Sequence, residues 1–502
     1  MRRTCLSRST ANEHAFAHKI TRMSDLTRAQ SVHALIDIKW NDIVETLSSL
    51  VRIPSVSWPA FDSANVERSA KAVAALLEKL AIFESVEILR ATTTPSGEEV
   101  RPGESPTWGQ PAVVARRAAR SGRPTVLLYA HHDVQPPGNE GDWESPAFEP
   151  TRRHGRLYGR GTADDKAGIV THLTSLALMD ELAQELELGL VVFIEGEEEF
   201  GSPSFDNFLA TYRDRLESDV IIVADSGNWS TTVPALTISL RGNVTFALTV
   251  RTLEHGVHSG MFGGAVPDAM MAAARLVSSF YTREGSVAIE GLHSQPRAVP
   301  EYVEETLREE ASLVPSAHLI GTGDVLHRLW SQPAVTVTGI DAPPVESASN
   351  TLLPSVRMRV SVRVAPGQTA ADALEAVRQH IEANTPFGAS VALDDISLGE
   401  AFLDAGEGSA ARTARETMAE AWGADPIDMG VGGSIPFIAT FKQLFPEAEV
   451  LVTGVEDPDS RAHGTNESLD LDVLRKAVCA QTLLLWGLND APGINPRLES
   501  MS

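Results

Sequence analysis

Apolar residues follow two contrasting patterns along this chain, and the change between them divides the sequence. In the first part, short continuous apolar runs alternate with stretches of helical period. Strands are predicted at 85–90, 112–116, 125–130, 188–194 and 219–224, and helices at 31–53, 66–80 and 167–183. Continuous apolar strands are buried on both faces, which is typical of a largely parallel sheet covered by helices.

Near residue 236 the pattern changes to alternation of apolar and polar positions, which indicates strands with one buried face. Strands are predicted at 242–250, 334–340, 356–364 and 389–394, with helices at 267–282 and 369–384. Thr369 and Asp372 have the spacing of a capping box at the start of the second helix. The order β-α-β-β-α-β is that of a ferredoxin-like unit.

After about residue 400 the first pattern resumes, with a helix at 409–422, a strand at 449–453 and a helix at 470–488. The predicted fold class is therefore α/β, with a mostly parallel sheet covered by helices and an inserted α+β ferredoxin-like domain. The division is 29–235 plus 400–495 for the first domain and 236–399 for the insertion. Residues 1–28 are expected to be a disordered extension. A length of 502 residues suits two domains.

The charge and the apolar content of the chain exclude some classes of binding partner. The formal charge of −25 argues against nucleic acid, because phosphate binding needs clustered Lys and Arg. No run approaches the roughly 18 apolar residues of a membrane span, so no membrane contact is expected. The first 22 residues lack the apolar core of a secretory signal. Only two cysteines are present and they lie far apart, which suits the cytoplasm.

Acidic and histidine residues collect after the predicted strands of the first domain. They are His131, Asp133, Glu198, Glu199, Asp225 and His463, with Asp164 in a Gly-rich loop. Taken singly, each is best interpreted as a solvated loop residue, but together they mark the carboxyl edge of a parallel sheet, where ligands bind. So many carboxylates need a positive charge, which two divalent ions would supply. Two metals sharing one water are typical of a hydrolase.

His131 and Asp133 lie on the same side of an extended segment. The expected division of labour places His131 on a metal and Asp133 behind it, accepting the other ring proton. His132 points the other way and is interpreted as a packed or surface histidine.

Six runs in order resemble a known family: 129–136 (YAHHDVQP), 158–166 (YGRGTADDK), 194–202 (IEGEEEFGS), 258–264 (HSGMFGG), 432–436 (GGSIP) and 463–467 (HGTNE). They resemble the di-zinc metallopeptidases that include carnosine and other dipeptidases. Aminoacylases, acetylornithine deacetylase, succinyl-diaminopimelate desuccinylase and a glutamate carboxypeptidase belong to the same family. The resemblance runs from about residue 35 to 490 and looks nearest to the dipeptidase branch.

The resemblance implies two metal sites that share one carboxylate. His131, Asp164 and Asp225 would bind one ion, and Asp164, Glu199 and His463 the other. The ions would be Zn²⁺, although Mn²⁺ or Co²⁺ would also suit these ligands. It also implies that the peptide bond between Asp164 and Asp165 is cis.

Within the three consecutive glutamates, Gly201 fixes the register of the family pattern. Glu199 is then the ligand and Glu198 the general base, which moves the proton of a metal-activated water to the leaving amine. Glu197 falls where the family varies and is expected to be a solvated charge.

The insertion is implied to be a lid and dimerisation domain, so that the protein is a homodimer. His258 would reach the partner's active site and stabilise the oxyanion. His255 is an alternative donor that does not match the motif. Substrate-binding candidates are Asn350, Arg363, Gly433 and Ser434, with Arg363 as a clamp for a terminal carboxylate; the competing interpretation is an exposed strand arginine.

The predicted function is a cytoplasmic dipeptidase-type metallopeptidase that cleaves small peptides. The first alternative is an N-acyl-amino-acid amidohydrolase, a deacylase or desuccinylase with the same residues and a different pocket. A non-catalytic binding protein on this fold ranks last, because every expected ligand and base position is filled.

Overall fold

The computed structural model describes residues 27–94, 107–183, 185–295, 299–404, 406–433 and 436–491. Its helices are α1 (Arg28–Val51), α2 (Ala64–Leu80), α3 (Lys166–Leu182), α4 (Phe205–Leu216), α5 (Ser259–Phe262), α6 (Ala269–Ser278), α7 (Glu304–Glu310), α8 (Val325–Trp330), α9 (Ala370–Asn384), α10 (Ser409–Trp422), α11 (Pro436–Leu444) and α12 (Leu471–Asp490). No helix among these residues is long and apolar enough to cross a bilayer.

The strands are β1 (Ser85–Leu89), β2 (Ala112–Arg117), β3 (Thr125–His131), β4 (Thr151–Arg153), β5 (Arg156–Tyr158), β6 (Gly189–Glu195), β7 (Val220–Ala224), β8 (Ala235–Leu240), β9 (Gly242–Arg251), β10 (Val257–His258), β11 (Ala334–Asp341), β12 (Thr351–Leu352), β13 (Ser355–Val364), β14 (Ser390–Gly399), β15 (Phe402–Leu403), β16 (Ile427–Val431), β17 (Glu449–Thr453) and β18 (Ser468–Asp470). The chain forms two compact units. The first comprises Met1–Leu236, Gly406–Ile427 and Glu447–Ser502, and the second Thr237–Ala405 and Asp428–Pro446.

The first unit is built on a sheet with strand order β1-β2-β6-β3-β7-β17. Strands β6, β3, β7 and β17 run parallel, whereas β1 and β2 are antiparallel additions at one edge. The runs in β3, β6 and β7 are buried almost throughout, as continuous apolar strands should be. The prediction of a mostly parallel sheet is confirmed for these central strands, and their carboxyl ends share one edge.

Side-chain caps mark the starts of helices α1 and α3 in the first unit. Thr27 and Gln30 form a reciprocal capping box at α1, so this helix begins three residues before the predicted start. Asp165 caps α3 by accepting from the Gly168 amide. Of the predicted extension 1–28, Thr27 caps α1, Arg28 is the first residue of this helix, and the others lie outside the described residues.

The second unit contains a four-stranded antiparallel sheet in the order β11-β13-β9-β14. Helices α6 and α9 pack on it, and Phe246, Leu276, Phe280, Val360 and Val377 belong to their common core. Chain order and strand order together are those of a ferredoxin-like unit. Burial alternates along β13, which explains the alternating sequence pattern. The Thr369 hydroxyl caps α9 by accepting from the Asp372 amide, as its spacing predicted.

The boundary of the second unit differs from the predicted 236–399. Residues 428–446, which the sequence division placed in the first domain, group with the second unit. The physical reason is local pairing: β16 pairs with β8, and the Arg241 Nε donates to the Gly432 carbonyl at 3.1 Å. Such short pairing leaves no periodic signal in the sequence.

Candidate active site

The first unit brings together two groups of side chains that can each hold a metal ion. One consists of His131, Asp164 and Asp225, and the other of Asp164, Glu199 and His463. Within each group the candidate ligand atoms all lie within 4.8 Å of one another. These are the two ligand sets implied by the sequence resemblance, including the carboxylate that they share.

Asp164 lies between the two groups and presents one oxygen to each. Its Oδ1 is 3.0 Å from the His131 Nε2, and its Oδ2 is 3.0 Å from the His463 Nε2. The bond from Asp164 to Asp165 is cis, as predicted. A carboxylate in this position can bridge two cations, since each oxygen faces a different imidazole.

The remaining ligand candidates complete each group. The Asp225 Oδ1 is 3.7 Å from the His131 Nε2, and the Glu199 Oε2 is 3.3 Å from the His463 Nε2. Each group thus offers one imidazole and two carboxylates, which leaves coordination positions free for water and substrate. The donor set fits a catalytic zinc site or a similar divalent ion.

The electrostatics of these carboxylates also fit a cation. Burial and the neighbouring Asp164 charge raise the pKa of Glu199, and burial raises the pKa of Asp225. Burial would raise the pKa of Asp164 as well, but hydrogen bonds from His131 and His463 hold it below its usual range. Since buried like charges are costly, a pair of divalent ions would stabilise the ionised cluster.

Asp133 is buried behind the ligands, but its contacts differ in part from the prediction. The His131 Nδ1 lies 3.1 Å from the main-chain oxygen of Asp133 and 3.4 Å from its carboxylate, so the main chain is the nearer acceptor. The carboxylate instead accepts the amides of Glu198 and Glu199 at 3.2 and 3.1 Å, and the Ser57 hydroxyl at 2.7 Å. Asp133 therefore fixes the turn that carries the proposed base and a proposed ligand.

Glu198 and Glu199 form a single 3-10 turn after β6. Burial raises the pKa of Glu198 well above its usual value. Gln135 donates to both oxygens of Glu199, at 3.1 Å from its amide and 2.6 Å from its side chain. The two neighbours therefore differ in setting: the Glu199 carboxylate is anchored by Gln135, whereas Glu198 is held through its main-chain amide.

Glu197 is buried, so the expectation of a solvated charge is wrong. Its carboxylate accepts the Gln110 amide at 2.7 Å and the Ser204 amide at 2.8 Å. It joins the 3-10 turn to two neighbouring segments, and the sequence of three glutamates alone gave no sign of this. His132 is packed, as one of its two interpretations held, with its Nε2 donating to the Pro111 carbonyl at 2.8 Å.

Glu467 is the site residue whose role the sequence interpretation missed, although it ends the run HGTNE. It is fully buried and accepts the amides of Gly161, Ala163 and Asp164 at 3.0 to 3.2 Å. The Arg160 Nη1 donates to it at 2.6 Å. Glu467 therefore positions the main chain of the bridging carboxylate. Its place in a run that resembles the family was the one signal in the sequence that could have found it.

Two of the other predicted site residues lie on neighbouring segments of the second unit. His258 is exposed, and its Nδ1 accepts the Gly260 amide at 3.1 Å. Asn350 is exposed and its carbonyl accepts the Ser259 amide at 2.9 Å. Short β10, which contains His258, pairs with β12 directly after Asn350. The fold therefore brings these two candidates together, although 92 positions separate them in the sequence.

Two further substrate-binding candidates, Arg363 and Gly433, also belong to the second unit. Arg363 is half-buried in β13, and burial lowers its pKa. This position differs from the exposed strand arginine that was the competing interpretation. Gly433 follows β16, while Ser434 lies outside the described residues.

Comparison with known proteins agrees with the fold. The model of peptidase family M20/M25/M40 matches residues 127–486. The cysteinylglycine-S-conjugate dipeptidase of Corynebacterium striatum is 36% identical over 371 residues, which cover 72% of this chain and 81% of that protein. The beta-Ala-His dipeptidase of Rattus norvegicus is 27% identical over 457 residues, covering 87% and 90%.

Among solved structures, the di-peptidase Dug1p of Saccharomyces cerevisiae matches with a TM-score of 0.77 and 22% identity, covering 93% of this chain and 100% of that one. This likeness supports the fold. Because the family model spans most of the chain and the site offers two metal-ligating groups, the chain belongs to peptidase family M20/M25/M40 and is a metallopeptidase.

Proposed function

We propose that this protein is a dipeptidase that hydrolyses the amide bond of small peptides with two divalent ions, of which zinc suits the ligands best. The observation that carries the proposal is Asp164, whose two oxygens each lie 3.0 Å from a different imidazole. The dipeptidases among its relatives support the substrate class. When bound, the ions would lower the pKa of a shared water and polarise the substrate carbonyl.

Glu198 is proposed to act as the general base and then as the general acid. Its carboxylate takes a proton from the attacking water as the new C–O bond forms. It returns that proton to the leaving nitrogen as the C–N bond breaks. Burial raises its pKa, which brings proton affinity closer to neutral pH and favours both transfers.

His258 is proposed to donate to the oxyanion of the tetrahedral intermediate in a partner subunit. Because its Nδ1 accepts the Gly260 amide, the neutral ring carries its proton on Nε2 and is a donor there. The protein would therefore work as a homodimer formed through the second unit. The His258 side chain is exposed in this chain, so it is accessible to a partner subunit.

The positive charge of Arg363 suits a contact with an anionic group of the substrate. Arg363 is proposed to bind the substrate's terminal carboxylate, with Asn350, Gly433 and Ser434 as further contacts. We also propose a cytoplasmic location, since the buried Cys479 is a free thiol.

The test is a substrate panel with the purified protein loaded with Zn²⁺, Mn²⁺ or Co²⁺. Free dipeptides should be hydrolysed, whereas N-acetyl and N-succinyl amino acids should be cleaved more slowly by at least about tenfold in kcat/KM. A chelator should remove the activity, and adding the ion back should restore it. Preference for the N-acyl substrates would identify the protein as a deacylase instead.

A further inference from the structure

A cavity of about 230 Å³ lies within the second unit, far larger than the roughly 10–15 Å³ that a single water needs. Its walls are mostly apolar and include Val287, Leu307, Leu319, Ile320, Val325 and Val335. Its polar lining includes two arginines, Arg241 and Arg328, but no Asp or Glu among the described residues. A positively charged lining is unexpected in a chain with a formal charge of −25.

Arg241 is the most buried charge of this cavity, with a relative exposure of 9%. Its Nε donates to the Gly432 carbonyl at 3.1 Å, and its Nη1 makes long hydrogen bonds of 3.4 and 3.3 Å to the carbonyls of Arg328 and Gln332. Among the described residues, no carboxylate lies within ion-pair distance of Arg241, and its Nη2 makes no hydrogen bond. A buried guanidinium is normally paired with an anion, because its desolvation is costly.

The surrounding charges leave this one uncompensated. Burial, with the Arg363 charge as a further cause, lowers the pKa of Arg241 to about 10. Arg328 pairs with Glu304 at 2.9 Å through its Nη2 and donates its Nη1 to the Ile320 carbonyl. The Arg328 Nε is buried and has no hydrogen-bond partner among the described residues. The guanidinium of Arg241, which no carboxylate balances among the described residues, thus presents an unsatisfied Nη2 donor beside an apolar cavity.

We propose that this cavity binds a small monocarboxylate with an apolar body, of about the size of hexanoate. The carboxylate would accept hydrogen bonds from Arg241 and Arg328, since guanidinium groups favour bidentate binding of planar anions. The apolar body would lie against Val287, Leu307 and Ile320. An amino acid fits less well, because no carboxylate among the described lining residues can receive its ammonium group.

Isothermal titration of the metal-loaded, full-length protein with hexanoate tests the proposal. We expect one hexanoate bound per chain. Binding of hexan-1-ol and of 2-aminohexanoate should be at least about tenfold weaker, since the alcohol lacks the negative charge and the amino acid adds an unpaired ammonium.

Substitutions in the cavity wall test whether hexanoate binds in this cavity. Ile320→Asp, which adds a negative charge to the wall, should weaken hexanoate binding by at least about tenfold. The matched control is Val314→Asp, at a similarly exposed apolar position that does not line the cavity (61% against 67%), and it should bind like the wild type. Arg241→Met should also weaken hexanoate binding, and thermal melting reports whether this variant folds. If it does not fold, Ile320→Asp still decides the matter.

Three results would overturn the proposal or a part of it. Absence of hexanoate binding at tens of millimolar would overturn the whole. So would unchanged binding to Ile320→Asp, which would place the ligand elsewhere, for instance at the metal ligands. Equal affinity for hexan-1-ol would overturn the anionic part of the assignment.

Discussion

The two units both bury charge, but with opposite signs and in different settings. In the first unit, Asp164, Glu199 and Asp225 converge on two imidazoles, and none of the three forms an ion pair with a Lys or Arg among the described residues. In the second unit, Arg241 is held by main-chain carbonyls alone in the part of the chain that the structure describes. In both units, therefore, the buried charge is not neutralised by side chains of opposite charge among the described residues.

The first unit also contains a buried charge that is paired with a charge of opposite sign. Arg160 and Glu467 are both almost fully buried, 2.6 Å apart, and surrounded by main-chain partners. This pair shows that the chain does match buried charges where the role is structural. Where a buried charge has no such partner in the chain, we expect a bound ion or ligand of opposite charge to neutralise it.

The largest expected effect comes from the shared carboxylate. Asp164→Asn removes one negative charge from both ligand groups, so metal content should fall from about two ions per chain to fewer than one, with loss of activity. The exposed Asp425→Asn serves as the control and should retain both ions. Elemental analysis and dipeptide hydrolysis measure the outcome; two retained ions in Asp164→Asn would contradict a bridging role.

The adjacent glutamates offer the next test. Glu198→Gln should lower kcat by about 10²–10⁴-fold while metal content and melting temperature stay unchanged, because it removes only proton transfer. Glu197→Gln should instead lower the melting temperature, since its carboxylate holds Gln110 and Ser204. If Glu198→Gln keeps near-normal activity, the proposed base is wrong.

The second unit is tested through His258. His258→Ala should lower kcat by about 10²–10³-fold if it removes an oxyanion donor. Equal mixing with Glu198→Gln chains gives dimers of which half are mixed, each with one intact site, so activity should recover to about a quarter of the wild type. No recovery in mixtures with demonstrated mixed dimers would exclude action across subunits.

The buried ion pair of Arg160 and Glu467 should contribute to the free energy of unfolding. Glu467→Gln leaves the Arg160 charge buried without its partner, and breaking such a pair costs about 3–5 kcal/mol. Glu45→Gln removes an exposed partner of Arg52 and should have no measurable effect. Urea denaturation followed by circular dichroism compares the two; equal stability of both variants would mean that burial does not set the value of this pair.

The smallest effect concerns a buried group that stays neutral. His172 donates its Nε2 proton to the Tyr129 carbonyl, and burial lowers its pKa from 6.5 to about 4. The unfolded chain therefore binds the proton more readily, and stability should fall as pH drops from about 6.5 toward 4. His172→Gln should reduce this pH dependence, to which the buried His132 contributes in the same direction, whereas the exposed His318→Gln should leave it unchanged. Urea midpoints across this range provide the measurement.

Much of the candidate site was predictable because its residues follow strands with a strong signal. The buried runs of β3, β6 and β7 end at His131, Glu195 and Ala224, and the ligand candidates come at or shortly after these ends. Parallel strands place their carboxyl ends at one edge, so sequence position implied proximity. The short strands β4, β5 and β18 were missed, since three-residue pairings carry no periodicity.

The order of amino acids is enough to separate a parallel α/β unit from a ferredoxin-like one and to identify the candidate metal-ligating side chains. The roles of their neighbours emerged only once the chain had folded. Asp133 turned toward the Glu198 amide, Glu197 became a buried acceptor, and Glu467 joined Arg160 from 307 positions away. Apolar periodicity reports which face of an element is buried. The partners of a buried polar atom depend instead on which main-chain groups remain unpaired after distant segments have come together.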